Sequence, residues 1–394
     1  PPPPQLQSMA DKALVLVLVL VALVFADQAF VGTAPNGSLV LRPSDGQHVL
    51  VDGVVFRSLL DRLEKLEQQQ ARLVADTSSI ARLDPTDPDG LNLWAGGVLA
   101  GNGKIYGIPY DSAAVLVIDP ATNTADVASI MVPAGHGKWH GGVLADNGKI
   151  YGMPHRWGSV LIIDPSANST SVVPIEIERF GAWTHGVKAP NGLIYGIPFN
   201  SNSVLIIDPT SNSLDNTTIT GLSGDAKWWD GVLASNGKIY GIPHLSQSVL
   251  VIDPKTNAAD TTAMVVKGSY NWLGGVLADN GNIYCVPRHS TSVLIIDPAT
   301  NATDIATITG LSADNSKWRV GVLAGDGKIY GIPDESDSML IIDPATNTAD
   351  TTSIVGLGGQ SKWFGGVLAH NGKIYGIPWN SDSVLIIKRD FEAL

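Results

Sequence analysis

The chain has 394 residues, of which 44% are hydrophobic, and 42 of them are glycine. Its formal net charge of -12 argues against binding to nucleic acid or to an anionic membrane surface, because both require a basic surface. The single cysteine, Cys285, excludes a disulfide framework within the chain and a zinc site built from cysteines, and it favours a buried packing role for this thiol.

The first 26 residues resemble a targeting segment. An apolar run of 14 residues follows Lys12 and ends at Ala26, and it is shorter than the roughly 20 residues that span a bilayer as a helix. The run therefore predicts a cleaved signal peptide, with a membrane anchor as the alternative. The next stretch, AFVGTAP at residues 29–35, resembles the motif at the signal-peptide boundary of plastid proteins in algae with complex plastids. A plastid destination is thus an alternative to secretion.

A second region precedes the repeats. Residues 27–52 are β-rich, and the runs on either side of Asp45-Gly46 predict a hairpin. Residues 53–74 predict an amphipathic helix, because apolar positions recur at spacings of three and four. These positions are Phe56, Leu59, Leu63, Leu66 and Leu73, and the polar Gln70 stands at the same spacing between the last two. We expect self-association through this helix, most simply as a homotrimer, with packing of the helix on the following domain as the alternative.

A unit of 44 to 46 residues then occurs seven times, each copy beginning at a tryptophan. The second copy reads WHGGVLADNGKIYGMPHRWGSVLIIDP, at residues 139–165. The seven tryptophans are Trp94, Trp139, Trp183, Trp228, Trp272, Trp318 and Trp363. A period in this range indicates one repeat architecture rather than several separate domains.

Each unit predicts four short strands. GVLA forms the first strand, and Asn-Gly or Asp-Gly, as at Gly148 and Gly327, forms a tight turn that accepts a positive φ. KIYGIP forms the second strand and ends in a proline that cannot donate to a sheet. SVLIIDP forms an apolar third strand whose aspartate caps the next turn, and ADTTSI forms a more polar outer strand. Four strands in a unit of this length are typical of a propeller blade.

The ends of the repeat region predict how the ring closes. The seventh copy stops after its third strand, where Lys388 replaces the usual aspartate. Residues 75–80, just before the first tryptophan, match the outer-strand sequence at residues 349–354. We therefore expect this N-terminal strand to pair beside residues 383–388 and complete the seventh blade, which covers an exposed sheet edge.

The stretch IYGIPYDSAAVLVIDPATNTADVASI, at residues 105–130, resembles the YVTN-type repeat of seven-bladed β-propellers. More broadly, the repeats are similar to NHL and streptogramin-lyase-like propellers. The resemblance implies an all-β fold, a seven-bladed β-propeller over residues 75–394. It implies no catalytic residue, because no lyase-type motif matches this chain residue by residue. These propellers include surface-layer, periplasmic and ligand-binding proteins as well as some enzymes.

Positions that differ between the repeats identify a candidate binding face. The residue after each tryptophan and the residue after each second-strand proline are predicted to lie at one end of the ring, around the mouth of the central channel. The first set is Ala95, His140, Thr184, Trp229, Leu273, Arg319 and Phe364, with His185 and Asp230 beside it. The second set is Tyr110, His155, Phe199, His244, Arg288, Asp334 and Trp379, with Arg156, Trp157 and His289 close by.

From these sets we select eleven candidate ligand-binding residues, namely His140, His155, Arg156, His185, Trp229, Asp230, His244, Arg288, Arg319, Phe364 and Trp379. Aromatic rings beside His, Arg and Asp suit a glycan, a small polar molecule or a protein loop. The alternative is that these positions vary because packing does not constrain them. No metal site is predicted, since spacing across blades does not establish ligand geometry. Each repeated tryptophan is expected to pack against the neighbouring blade, with ligand stacking as the alternative.

The function predicted from these features is that of a secreted or lumenal binding or scaffold protein that uses no cofactor. Its partner is a glycan, a small molecule or a protein, and no membrane span is predicted in the mature form. The alternative is a lyase or hydrolase acting at the channel mouth through His140 or His185, with Asp230 as partner. Four sites fit the rule for glycan acceptors and are candidate glycosylation sites: Asn36, Asn168, Asn216 and Asn301.

Overall fold

A computed structural model describes residues 92–266 and 272–388 with their side chains, and it describes the backbone of Arg389 and of residues 30–33, 39–42, 49–51 and 73–79. The chain divides into two compact units, one of residues 74–388 and one of residues 1–73 with 389–394. The predicted signal peptide, Asn36 and all but the end of the predicted helix lie outside the described residues. No helix in the described parts of the chain is long and apolar enough to cross a membrane.

The smaller unit contains one antiparallel sheet of three strands, β1 (Phe30–Thr33), β2 (Leu39–Arg42) and β3 (Val49–Val51). Strands β2 and β3 pair with each other on either side of Asp45-Gly46, which confirms the predicted hairpin. Strand β1 pairs with β2 and was not predicted. Strand β4 (Leu73–Ser79) begins at Leu73, so the last two residues of the predicted helix belong to a strand instead.

The larger unit is a ring of seven four-stranded antiparallel sheets, which confirms the predicted seven-bladed β-propeller. Blade 1 contains β5 (Trp94–Leu99), β6 (Ile105–Pro109), β7 (Leu116–Asp119) and β8 (Thr124–Asp126), and blade 2 contains β9 (Trp139–Leu144), β10 (Ile150–Pro154), β11 (Ser159–Asp164) and β12 (Ser169–Pro174). Blade 3 contains β13 (Trp183–Lys188), β14 (Ile194–Pro198), β15 (Leu205–Asp208) and β16 (Ser213–Asp215), and blade 4 contains β17 (Trp228–Leu233), β18 (Ile239–Pro243), β19 (Leu250–Asp253) and β20 (Ala258–Asp260).

Blade 5 contains β21 (Trp272–Leu277), β22 (Ile283–Pro287), β23 (Leu294–Asp297) and β24 (Ala302–Asp304), and blade 6 contains β25 (Trp318–Leu323), β26 (Ile329–Pro333), β27 (Leu340–Asp343) and β28 (Thr348–Asp350). Blade 7 contains β29 (Trp363–Leu368), β30 (Ile374–Pro378) and β31 (Ser383–Arg389). Its fourth strand is β4, which lies beside β31 and confirms the predicted closure. The first strand of each blade contacts that of the next, and β29 contacts β5, so the ring is closed at its inner strands.

The hydrophobic core lies between successive blades. Trp272, for example, packs with Tyr240 and Ile242 of the preceding blade and with Cys285 of its own. Its indole N–H donates to the carbonyl oxygen of Ser292 at 2.9 Å, and the other repeated tryptophans make the same bond to the residue 20 positions later. The tryptophans therefore pack against the neighbouring blade, as predicted, and Cys285 is a buried free thiol with a packing role.

The conformation and hydrogen bonding of turns explain most of the other residues that recur in every repeat. Gly148 and Gly327 have φ values of 78° and 77°, a region that glycine adopts without steric cost. Asp343, at the end of a third strand, accepts the backbone N–H of Ala345 at 3.0 Å, which confirms its predicted role as a turn cap. The outer strand of blade 2 has six residues, whereas those of blades 1, 3, 4, 5 and 6 have only three residues each. In blade 6 the reason is Asp350, which turns the chain by accepting the N–H of Thr352 at 2.7 Å.

A tyrosine in each second strand links one blade to the next. The hydroxyl of Tyr284 accepts from Asn280 Nδ2 at 3.0 Å and donates to Asn347 Oδ1 in the following blade at 2.6 Å. The same link joins three other pairs of blades, through Tyr151 and Asn212, Tyr195 and Asn257, and Tyr375 and Asn123. The asparagine of the turn after the first strand and that of the turn after the third strand thus take part in hydrogen bonds that link adjacent blades.

Candidate functional site

Strand pairing places the two variable sets at one end of the ring. In blade 2, Trp139 pairs with Pro154 and His140 with Met153, so His140 and His155 lie at the end of the sheet where the first strand begins and the second strand ends, with ring centroids 5.3 Å apart. In every blade the register of this pair shifts within three residues of the tryptophan. Such β-bulges redirect a side chain, and here they present the residue after the tryptophan at this end. We call this end the mouth face.

His140 lies at the centre of the mouth face. Its ring centroid is 4.9 Å from that of His185 and 5.3 Å from that of His155. It is also 5.1 Å from Trp229 of blade 4 and 4.8 Å from Phe364 of blade 7. Because side chains from blades 2, 4 and 7 meet here, they close over the axis of the ring.

Seven further contacts extend this group into one continuous set of rings. We call the set the mouth cluster, and its members are Tyr110, His140, His155, His185, Phe199, Trp229, His244, Phe364 and Trp379. Phe364 and Trp379 are almost fully buried, at 2% and 9% exposure, whereas Tyr110, Phe199 and Trp229 are half-buried. The face therefore has a buried floor with three partly exposed aromatic rings around it.

The hydrogen bonds of His140 fix its tautomer. Its Nδ1 lies 3.1 Å from the carbonyl oxygen of Thr184, and a carbonyl oxygen only accepts, so Nδ1 carries the proton. Its Nε2 is then an acceptor, and this atom is buried with no hydrogen-bond partner. His185 has the same arrangement, with Nδ1 at 3.1 Å from the carbonyl oxygen of Trp229.

Burial keeps three histidines of the mouth cluster neutral, namely His140, His155 and His244. Desolvation lowers the pKa of His140 well below its usual value, and the neighbouring His185 and His155 lower it further. Desolvation also lowers the pKa of His155 to about 4 and that of His244 to about 4. At neutral pH these rings are polar but uncharged.

Asp230 is a buried carboxyl group next to His185. Its Oδ1 accepts the backbone N–H of Gly231 at 2.8 Å, and its Oδ2 accepts that of Gly275 at 3.2 Å. Burial raises the pKa of Asp230, and His185 opposes that rise. Because His185 Nδ1 bonds to the carbonyl of Trp229, the carboxylate of Asp230 does not orient this histidine through a hydrogen bond.

Arg319 and Asp334 form a buried ion pair at the edge of the mouth cluster. Arg319 Nε lies 2.9 Å from Asp334 Oδ2, and the two side chains are 9% and 1% exposed. The guanidinium carbon lies 4.2 Å from the ring centroid of Phe364 and 5.5 Å from that of Trp379. Arg288, in the preceding blade 5, is half-buried, and its positive charge lowers the pKa of Arg319.

The structure gathers most of the eleven selected residues and leaves one apart. Arg156 is exposed at the edge of the face, and it acts on the pKa of Tyr110 and His155 through its charge alone. His289, which was also predicted close to this face, lies outside the mouth cluster. In the described residues, no three side chains of the His, Cys, Asp or Glu type are arranged to hold a metal ion.

Sequence reasoning missed a lysine that precedes the tryptophan in four blades, at Lys138, Lys227, Lys317 and Lys362. The ammonium group of Lys227 donates to the carbonyl oxygens of Ser201 and Gly224, both at 2.8 Å, and lies over the ring of Trp228. These lysines tie the loops below the mouth face to the preceding blade. The recurrence of the dipeptide Lys-Trp at the spacing of the blades could have indicated this structural role.

Fold and site together define a seven-bladed β-propeller whose mouth face carries a histidine-rich aromatic cluster. No protein-family model matches the sequence, and no curated protein matches it either. Among solved structures, streptogramin B lyase is similar with a TM-score of 0.65 at 11% sequence identity, over 80% of this chain and 97% of that chain.

Two other solved structures extend this comparison. A catalytically inactive variant of virginiamycin B lyase from Staphylococcus aureus, with quinupristin, is similar with a TM-score of 0.64 at 9% identity, over 80% of this chain and 99% of that chain. The extracellular domain of a protein described as a hybrid two component system from B. thetaiotaomicron has a TM-score of 0.59 at 11% identity, over 81% of this chain and 42% of that chain. Similarity at these identities is similarity of fold.

Proposed function

We propose that the mouth face is a binding site for a small polar ligand with a ring, such as a sugar unit of a glycan. The observation that carries the proposal is the Nε2 atom of His140, a buried acceptor at the centre of a cluster of rings that has no hydrogen-bond partner among the described residues. An unpaired buried polar atom costs about 1 to 3 kcal/mol, and it persists where a ligand or water supplies the missing bond.

The half-exposed rings supply the second part of such a site. Tyr110, Phe199 and Trp229 surround the buried floor and offer apolar faces on which a sugar ring stacks. The opposite end of the ring lacks this chemistry, because its turns are made of the repeated asparagines that link the blades. The proposal extends to a binding or scaffold protein that presents this face to glycans, metabolites or a protein loop.

An array of glycans and metabolites tests this proposal with wild type, His185→Ala and a control at the opposite end, Lys149→Gln. We expect at least one array member to bind wild type and the control equally and to bind His185→Ala more weakly, by about tenfold. His140→Ala is measured as well, with its melting temperature, because that side chain is buried. Equal binding to all variants, or no binding by wild type, contradicts the proposal.

A lyase or hydrolase is the second candidate function. Two neighbouring histidines have their Nδ1 atoms fixed by carbonyl oxygens, so each presents an unprotonated Nε2 of the kind a general base uses. The fold is shared with streptogramin B lyase. The array hits are therefore incubated with wild type and analysed by mass spectrometry. Turnover that is lost in His185→Ala establishes this function, and binding without turnover of any hit favours the binding protein.

We also propose that the protein enters the secretory route and carries glycans at Asn168 and Asn301. Both side chains are exposed in turns between the third and outer strands. In four other blades the asparagine of this turn bonds to a tyrosine, whereas the side chains of these two make no hydrogen bond. Each acceptor threonine, Thr170 or Thr303, donates to a carbonyl of the preceding blade. Asn216 is half-buried, and Asn36 lies outside the described residues.

Mass spectrometry of the protein secreted from a eukaryotic host tests the glycan sites. Peptides containing Asn168 and Asn301 are expected to carry a glycan, and Thr170→Ala should remove only the first of the two. Secreted protein with both peptides unmodified would overturn the proposal, and so would retention of the whole chain in the cytosol.

A further inference from the structure

Two arginines from adjacent blades converge at the mouth face. Arg319 is the second residue of β25 and Arg288 follows the last residue of β22. The carbonyl oxygen of Arg288 accepts the backbone N–H of Lys317 at 3.1 Å, two residues before Arg319, which brings the two arginines to the same junction between blades 5 and 6. The positive charge of Arg288 also lowers the pKa of Arg319 and of His244. The pair thus flanks the mouth cluster on the side of blades 5 and 6.

Only one of the two guanidinium groups has a carboxylate. Asp334 pairs with Arg319 at 2.9 Å and is almost completely buried. Arg288 has no ion-pair partner among the residues that the structure describes, and its Nε atom is buried without a hydrogen bond. Glu335, the next carboxylate along the chain, is exposed and forms no ion pair within the same residues. Within the described residues, one guanidinium group at this edge is therefore without a bonded carboxylate.

The two neighbouring lysines differ from Arg288, because their ammonium groups already have hydrogen-bond acceptors. Lys317 donates its ammonium hydrogens to the carbonyl oxygens of Arg288 and Asp314, at 3.2 and 2.8 Å. Lys362 donates to those of Ser336 and Gly359, both at 3.0 Å. Backbone carbonyls satisfy these two groups, whereas the guanidinium of Arg288 keeps its donors for something outside the described residues.

We infer that the ligand of the mouth face carries one anionic oxygen group, a carboxylate, sulfate or phosphate, which Arg288 and Arg319 bind together. This inference rests on the proposed binding function and names its ligand class. A guanidinium presents paired N–H donors that match two oxygens of such a group. Arg319 is held against Phe364, so its orientation is set before the ligand arrives.

The remaining groups restrict the ligand further. His140 Nε2 accepts a hydroxyl hydrogen, and Trp229 stacks against the ring that carries both groups. The chain as a whole has a net charge of -12, which repels long polyanions. A sugar with a single acidic group fits all of these features, and a polysulfated chain does not.

The test compares matched acidic and neutral sugars in calorimetric titrations. The probes are glucose and galactose with their uronic acids, 6-sulfates and 6-phosphates, together with any array hits and their neutral or acidic counterparts. The variants are Arg288→Gln, Arg288→Lys and, as a control at the opposite end of the ring, Lys149→Gln. We expect acidic members to bind wild type, Arg288→Gln to weaken them by about tenfold or more, and Arg288→Lys to retain part of the affinity.

Each outcome decides a separate point. Preferred binding of one acid over the other two identifies the anionic group. Binding of neutral sugars as tight as that of acidic ones, or acidic binding that Arg288→Gln leaves unchanged, overturns the inference while the proposed function stands. Absence of any binding across all probes and array members overturns the proposed function and the inference together.

Discussion

At the scale of single residues, the mouth cluster uses neutral histidines where a charged side chain would be expensive. His140, His155 and His244 are at most 7% exposed, and burial favours the uncharged imidazole because the imidazolium ion loses its hydration. Buried charges at this face are stabilised where they occur, since Arg319 and Asp334 compensate each other and two backbone N–H groups bond to Asp230. The cluster therefore combines hydrogen-bonding capacity with a nearly apolar floor.

Because these histidines are buried in the neutral form, we expect the free energy of unfolding to fall in mild acid. The folded pKa of His155 and of His244 is about 4, below the unfolded value of 6.5. Their contribution is complete above pH 6.5 and is lost as the pH falls toward 4, because the unfolded chain then binds protons that the folded one does not. The loss reaches up to about 3 kcal/mol per group. The raised pKa of Asp230 opposes it in part.

Urea unfolding at intervals from pH 7.5 to pH 4.5 checks this dependence. His155→Gln should reduce the slope of stability against pH, and His370→Gln, at an exposed turn on the other end of the ring, should leave it unchanged. A wild-type stability that is constant over this range would contradict the assignment of neutral buried histidines.

The sequence predicted which residues share the mouth face but not how they pair. Repeat position alone placed His140, Trp229 and Phe364 together, because the blades are alike and each contributes the same two positions. It did not predict that Arg319 pairs with Asp334 or that Asp230 bonds to backbone N–H groups, since those contacts depend on side-chain directions at the β-bulges. Periodicity fixes a position on the ring and leaves the rotamer open.

At the scale of elements, identical strands are joined by polar links of unequal strength. Tyr284 donates to Asn347 in the next blade and accepts from Asn280, whereas the hydroxyl of Tyr106 bonds only to Asn102. Both tyrosines are buried. A comparison of the two positions therefore isolates the bond between blades from the packing of the ring.

We expect Tyr284→Phe to cost about 1 to 2 kcal/mol of unfolding free energy and Tyr106→Phe to cost less, on the order of 0.5 kcal/mol. Chemical denaturation of the two variants beside wild type measures the difference. The reason is that the first substitution removes a bond to the next blade as well as one within its own blade, while the second removes only a bond within the blade. Equal costs would show that the link between blades adds nothing to packing.

Strand β4 is the element on which ring closure depends. Without it, β31 would present an unpaired edge, and the propeller would have no covalent segment joining its first and last blades. Deleting residues 75–82 should lower the melting temperature by on the order of 10 °C or more, which we would measure by circular dichroism. Deleting residues 1–72 is the matched control and should leave the melt nearly unchanged. If the two deletions melt alike, β4 does not close the ring in solution.

The elements were largely predictable because each has a local signal. Alternating apolar strands, Asn-Gly turns and terminal prolines defined the blades, and a copy of the outer-strand sequence before Trp94 defined the closing strand. Strand β1 was not predicted, because a four-residue strand without a turn signal is weak in sequence. The outer strands were predicted too long, since an aspartate such as Asp350 ends the strand through a side-chain bond that periodicity does not reveal.

At the scale of the whole molecule, self-association through residues 53–74 remains a prediction. Its apolar positions recur every three or four residues up to Leu73, where β4 begins. Light scattering should give the mass of a trimer for the chain lacking residues 1–26 and that of a monomer for the chain lacking residues 1–72. The second deletion keeps β4, so a change in mass cannot be ascribed to unfolding. A monomer in both cases would remove the oligomer from the account.

The central claim is that the ligand binds at the mouth face rather than elsewhere on the ring. A crystal structure of the protein with its tightest array ligand tests this claim most directly. The account predicts a ring stacked on Trp229, a hydrogen bond to Nε2 of His140 and an anionic group beside Arg288. A ligand found at the Asn-Gly turns of the opposite end or on the outer strands would contradict it.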